Sequence, residues 1–143
     1  MSELKAVITA GGVGSRLRPI TKDLPKPLVP PAGKECIVRI AELLMKYGIK
    51  DIAVTTMFMG DSIKECLSDR FPDMNFVFFA EKTPLGTAGS VGQARDFLDG
   101  DFIVMSGDCL CDLDIADAVN FHKEKNGIAT VILSKRDDPT EYG

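Results

Sequence analysis

The chain has 143 residues, 45% of them hydrophobic and 27% charged, with a formal net charge of −4, which fits one ordinary globular domain large enough to bury a core. That acidic balance excludes the broad basic face of a nucleic-acid track, and no apolar run approaches the roughly 20 residues of a membrane helix, so neither nucleic acid nor membrane is an expected partner. Met1-Ser2-Glu3-Leu4-Lys5 runs straight into an apolar strand, without a secretory h-region, and Cys36, Cys66, Cys109 and Cys111 lack zinc-knuckle spacing, so the expectation is a cytoplasmic protein with reduced thiols.

The first expected strand is Ala6-Val7-Ile8, and a glycine-rich run follows at once: Ala10-Gly11-Gly12-Val13-Gly14-Ser15-Arg16-Leu17-Arg18-Pro19-Ile20-Thr21. Glycines directly after a strand let backbone N–H groups close on an anion where any Cβ would obstruct the approach. Arg16 and Lys26 then supply positive charge. The first thirty-four residues hold six Lys or Arg and two Asp or Glu, a local +4, so the remainder sums to −8. One basic mouth on an acidic chain points to a small phosphorylated ligand. Two familiar phosphate loops do not fit the run. Leu17 stands where a dinucleotide fingerprint needs its third glycine, which disfavours an NAD-binding domain, and no Gly-Lys-Ser/Thr exists for a Walker A loop.

Further along, Ile37, Ile40, Ala41, Leu44 and Tyr47 mark one face of a helix ended by Gly48, and Ile52-Ala53-Val54 reads as a buried strand. A second helix carries Ile63, Leu67 and Phe71 and ends before Pro72. Phe76-Val77-Phe78-Phe79 follows as a strand without the alternation of a half-exposed one. A third helix starts near Thr87 with Val91, Ala94, Phe97 and Leu98 toward the core, and Phe102-Ile103-Val104-Met105 is the next strand. A fourth helix holds Ile115, Ala118, Val119 and His122, the histidine at its surface or core edge rather than catalytic. Ala129 to Leu133 closes the series as a fifth strand. Five strands alternating with four helices predict an α/β, Rossmann-like, mostly parallel sheet with helices on both faces and ligands at the strands' carboxyl ends. Gly11 to Arg16, Glu81 to Gly89, and Ser106-Gly107-Asp108 then share one rim.

The glycine run, taken with Leu24-Pro25-Lys26-Pro27-Leu28, resembles the opening motif of the sugar-1-phosphate nucleotidyltransferases. Pro84-Leu85-Gly86-Thr87-Ala88-Gly89 resembles their nucleotide-base segment, and Gly107-Asp108 their metal aspartate. The resemblance runs from Lys5 to Gly143. It implies attack of a sugar-1-phosphate oxygen on the α-phosphorus of an NTP, with catalysis by alignment and charge neutralisation rather than by a covalent nucleophile. In that reading Arg16, Lys26 and Asp108 are the catalytic residues. Arg16 holds the β and γ phosphates, Lys26 reaches the α-phosphoryl and sugar phosphates, and Asp108 binds the Mg²⁺ cofactor. Nucleotide binding falls to Ala10, Gly11, Gly12, Gly14, Ser15, Arg16, Glu81, Gly86 and Thr87.

Glu81 stands where the resemblance puts a side chain near the base, and a carboxylate there can accept from both N1–H and N2–H₂ of guanine. With Phe121-His122-Lys123 and Asp138-Pro139-Thr140-Glu141-Tyr142-Gly143, this looks most like a mannose-1-phosphate guanylyltransferase. The alternatives are a glucose-1-phosphate enzyme using dTTP or UTP, and a non-catalytic nucleotide-binding regulatory module. Members of the family are longer, and their remaining part carries most of the sugar pocket and a second metal-binding aspartate. Residues 1–143 therefore read as the nucleotide-binding portion of a truncated nucleotidyltransferase fold, weakly active or inactive by itself. Its exposed sheet edge makes homo-oligomerisation or a covering partner the expectation.

Overall fold

The structure, a computed structural model, describes residues 4–138 and Thr140. The resemblance drawn from Pro139 and from Glu141-Tyr142-Gly143, and the reading of Met1 to Glu3, lie outside the described residues. Residues up to Cys111 form one compact unit and those from Asp112 onward a second.

The first unit contains four strands: β1 (Lys5–Ala10), β2 (Asp51–Thr56), β3 (Asn75–Ala80) and β4 (Phe102–Ser106). All pairings are parallel, in the order β3-β2-β1-β4. Helices α1 (Cys36–Lys46), α2 (Gly60–Arg70) and α3 (Gly86–Gln93) connect them. α2 covers the sheet face of Phe76 and Phe78, where the Phe71 and Phe76 rings lie 6.3 Å apart and the Lys64 ammonium sits 6.0 Å over Phe78. α1 belongs to the same face, because β1-α1-β2 and β2-α2-β3 step in one direction and parallel crossovers are right-handed. The step from β3 to β4 goes back past β1, so α3 falls on the opposite face, where Val91 and Ala94 pack with Val7, Ala53 and Phe79. Helices on both faces leave β1 and β2 no solvent side. Their cores are uniformly apolar as a result, with Ala6, Val7, Ile8, Ile52, Ala53 and Val54 all fully buried.

Two expectations need correction. β3 is half-buried rather than buried, because it lies at the end of the sheet with a strand on one side, and β4 at the other end exposes Phe102 and Val104. Ala129 to Leu133 is not a strand among the described residues: Val131 is 75% exposed and Leu133 84%. Its branched residues suit a pleated surface, but a strand exists only when a neighbour takes its N–H and C=O groups.

Within the second unit, α4 (Ile115–Lys125) begins at Asp114, whose carboxylate accepts from the Asp117 N–H at 3.0 Å, and ends at Asn126 in the left-handed conformation. His122 is half-buried and its Nδ1 lies 2.8 Å from Thr130 Oγ1. Replacing Asp114 by Ala should destabilise α4 by about 1 kcal/mol, read as earlier loss of helical circular dichroism from this unit. An unchanged transition would mean that the cap carries no weight.

Candidate active site

The chain leaves β1 toward β2 on one side and returns to β4 on the other, so the loops after β1 and β4 diverge at the carboxyl edge of the sheet. Such a switch in strand order leaves a crevice for ligand. Here it opens as a cavity of about 280 Å³, near the lower end of the roughly 300–1,000 Å³ usual for small-molecule sites. Ala10, Gly11 and Gly12 line it from β1, Glu81 and Pro84 from β3, Gly86 and Thr87 from the start of α3, and Asp108 from β4. Lys26 closes one side.

Close backbone approach sets the floor. The Gly107 N–H donates to Thr9 O at 2.8 Å, and a Cβ on Gly107 would stand 3.1 Å from that oxygen and 3.3 Å from Ala10 Cβ. Glycine thus lets the loop after β4 press onto the end of β1, which brings Asp108 beside the glycine turn. Lys26 is fixed from the other direction. It opens a short 3-10 turn, Lys26–Leu28, whose Pro27 and Leu28 are buried and whose Leu28 N–H donates to Pro25 O at 2.8 Å.

The Lys26 ammonium pairs with Asp108 Oδ2, the two side chains being 34% and 29% exposed. The Ser106 hydroxyl donates to Asp108 Oδ1 at 2.5 Å. Partial burial works to raise the Asp108 pKa, but the bonds from Lys26 and Ser106 outweigh it and hold the carboxyl below the usual carboxylate range. A depressed carboxyl contributes its stabilisation fully above its unfolded pKa and loses it as pH falls through the folded one. The Asp108 carboxyl is therefore ionised throughout neutral pH.

Glu81 lies deeper than a loop acid should, at 8% exposure. Its N–H extends the ladder of the neighbouring strand by donating to Thr56 O at 2.7 Å, and its Oε1 is buried with no hydrogen-bond partner among the described residues. A Cβ on Gly11 would stand 3.5 Å from that Oε1 and 3.6 Å from Met57 Cβ. α3 starts beside it with Leu85 at its N-cap and no capping side chain, so its first N–H groups are open to a ligand acceptor.

The structure thus brings Ala10, Gly11, Gly12, Lys26, Glu81, Gly86, Thr87 and Asp108 together around one cavity. Gly14, Ser15 and Arg16 do not line it; Ser15 and Arg16 sit on an exposed 3-10 turn, Ser15–Leu17. Thr9, Met57 and Ser90 line the cavity and were missed by the sequence reading. Met57 directly follows β2, so the carboxyl-end rule could have found it; Ser90 carries no local signal and faces inward through the packing of α3. Among the described residues, no group of three His, Cys, Asp or Glu side chains could hold a metal ion. Burial raises the pKa of the Cys36 and Cys66 thiols.

Residues 5–143 match the family model described as Nucleotidyl transferase. A mannose-1-phosphate guanyltransferase of Schizosaccharomyces pombe is 37% identical over 98% of this chain, and a mannose-1-phosphate guanylyltransferase catalytic subunit beta of Dictyostelium discoideum is 36% identical over 98%. The chain spans 40% of the length of each. Among solved structures, HddC of Yersinia pseudotuberculosis, crystallised in complex with GMP-PN, superposes with a TM-score of 0.73 at 32% identity, covering 83% of this chain and 54% of that one.

Proposed function

The chain belongs to the nucleotidyl transferase family, and on that premise we propose that it carries the nucleotide half of a site that joins GTP to mannose 1-phosphate, giving GDP-mannose and pyrophosphate. The observation that carries this reading is the convergence of Lys26 and Asp108 on one cavity beside the Gly11–Gly12 turn. In the reaction an oxygen of the sugar 1-phosphate forms a bond to the α-phosphorus of GTP, the bond from that phosphorus to the β-phosphate bridge breaks, and pyrophosphate leaves with the electron pair. Two anions must meet, so the rate depends on alignment and on fixed positive charge. Lys26 supplies that charge at the α-phosphoryl oxygens, and backbone N–H groups of Gly11 and Gly12 hold the phosphates. Arg16, on its exposed turn, reaches the β and γ phosphates from outside the cavity.

Magnesium fits the donor set. Mg²⁺ prefers one or two carboxylates plus phosphate and water oxygens, and Asp108 is a cavity-facing carboxylate with no protein metal cage around it among the described residues. Bound there with the triphosphate, it would neutralise charge on the phosphoryl oxygens. Guanine is favoured by Glu81, which lines the cavity and keeps a buried, unpartnered Oε1, and by the likeness to mannose-1-phosphate guanyltransferases. Among the described residues no helix is long and apolar enough to cross a membrane.

Calorimetry with GTP, ATP, UTP and dTTP in the presence of Mg²⁺ tests the reading. GTP should bind most tightly. Tightest binding of UTP or dTTP would move the assignment to a uridylyl or thymidylyl transfer, and no binding of any of the four would remove it.

A further inference from the structure

We propose that Thr21 is a positioning residue that locks the glycine loop to the stem of Lys26, so that the turn carrying Arg16 and the lysine are presented to the phosphates as one unit. The inference rests on the proposed nucleotide site and adds to it a residue that does not touch the cavity.

Thr21 is the one buried residue between Gly11 and Leu24, at 2% exposure. Every residue from Ser15 to Ile20 is exposed, and around the position of a Cβ on Gly12 nothing lies within 4 Å. The loop therefore hangs from very few contacts, and these converge on Gly14. That glycine has φ of 63°, a left-handed conformation costly to other residues. Its carbonyl oxygen accepts twice: from the Leu17 N–H at 3.0 Å, which closes the turn bearing Arg16, and from the Thr21 hydroxyl at 2.6 Å. On its other side a Cβ would stand 3.0 Å from Lys26 Cβ and 3.0 Å from Thr21 Cγ2. Turn, threonine and lysine stem thus meet at one point with no space for a further methyl group. Thr21 holds the junction through its hydroxyl, which fixes the Gly14 carbonyl.

A hydroxyl buried in a loop of mostly exposed residues adds nothing to the sheet core, which is apolar and elsewhere. Its effect is on the loop. Two anions must be aligned at this site, so a loop that samples several shapes lowers triphosphate affinity even when every contact residue is intact.

Thr21→Val removes the hydroxyl and keeps the shape, and Gly14 O retains the Leu17 N–H, so no buried acceptor is orphaned and the fold survives. Thr21→Ser keeps the hydroxyl. Hydrogen exchange of the Leu17 amide, without ligand, should be faster in Thr21→Val than in the wild type and restored in Thr21→Ser. The dissociation constant for GTP with Mg²⁺ should rise about threefold to tenfold in Thr21→Val, the worth of one such hydrogen bond, with GTP affinity recovered in Thr21→Ser. Wild-type exchange at Leu17 in Thr21→Val would overturn the proposal, as would weakened GTP binding that the serine variant shares. If the wild type binds no triphosphate, the proposed nucleotide site fails, while the exchange comparison still decides whether Thr21 locks the loop.

Discussion

Lys26→Ala and Asp108→Ala should each lower the rate of GDP-mannose formation about a hundredfold to a thousandfold, the loss typical of removing one preorganised group that stabilises charge in a transition state. Stability should scarcely change. The Lys26–Asp108 pair is about a third exposed, and pairs so open to water contribute about 0–1 kcal/mol. Each substitution also frees the partner side chain to solvent rather than burying it alone. Pyrophosphate release with mannose 1-phosphate and with glucose 1-phosphate, measured on residues 1–143 and on a form extended to the length of the relatives, checks this, with thermal unfolding run in parallel. A variant that turns over at the wild-type rate would show that the cavity pair is structural. A variant that unfolds early would show that the ion pair contributes more to the fold than its exposure indicates.

Glu81→Gln should weaken GTP binding about tenfold to a hundredfold, as expected for replacing hydrogen bonds to a charged acceptor, and leave UTP binding nearly as it was. The physical reason is acceptor count. A carboxylate offers an oxygen to each of the two guanine donors, whereas an amide offers one oxygen and turns an N–H₂ toward the other donor. The free protein should respond in the opposite direction. Oε1 of Glu81 is buried without a partner among the described residues, and an unpaired buried polar atom works against folding. The neutral amide should therefore leave the unfolding temperature equal or higher. A loss of GTP affinity with gained stability is the signature of a group held for binding. Equal affinity of wild type and variant for GTP would remove guanine recognition from Glu81.

Local pattern was enough to identify the four strands and three α-helices of the sheet unit, though not its short 3-10 turns. The 3.6-residue spacing of Ile37, Ile40, Ala41 and Leu44 and the glycine at position 48 set α1 and its end, and the unbroken apolar runs marked β1 and β2 as strands covered on both sides. The glycine turn after β1 and the carboxylates after β3 and β4 were legible for the same reason, since backbone permissiveness and charge belong to the residue itself. The exposed 129–133 segment shows where such reasoning stops. Its composition matches that of β2, but composition does not provide a neighbouring strand.

What the amino-acid sequence by itself determined is the alternation of elements, the chemistry available at the end of each strand, and the resemblance carried by the glycine run. Tertiary structure alone decided which of those groups meet. The return of β4 to the far side of β1 opened the crevice, and the approach of Gly107 to Thr9 brought Asp108 against Lys26. The same assembly buried Glu81, left Arg16 on an exposed turn, and gave Thr21 a carbonyl to hold. The Gly107–Thr9 and Asp108–Lys26 contacts join segments distant along the chain. Periodicity and propensity report on neighbours within a turn or a strand, whereas strand order and close backbone contact follow from how the whole sheet buries its two faces.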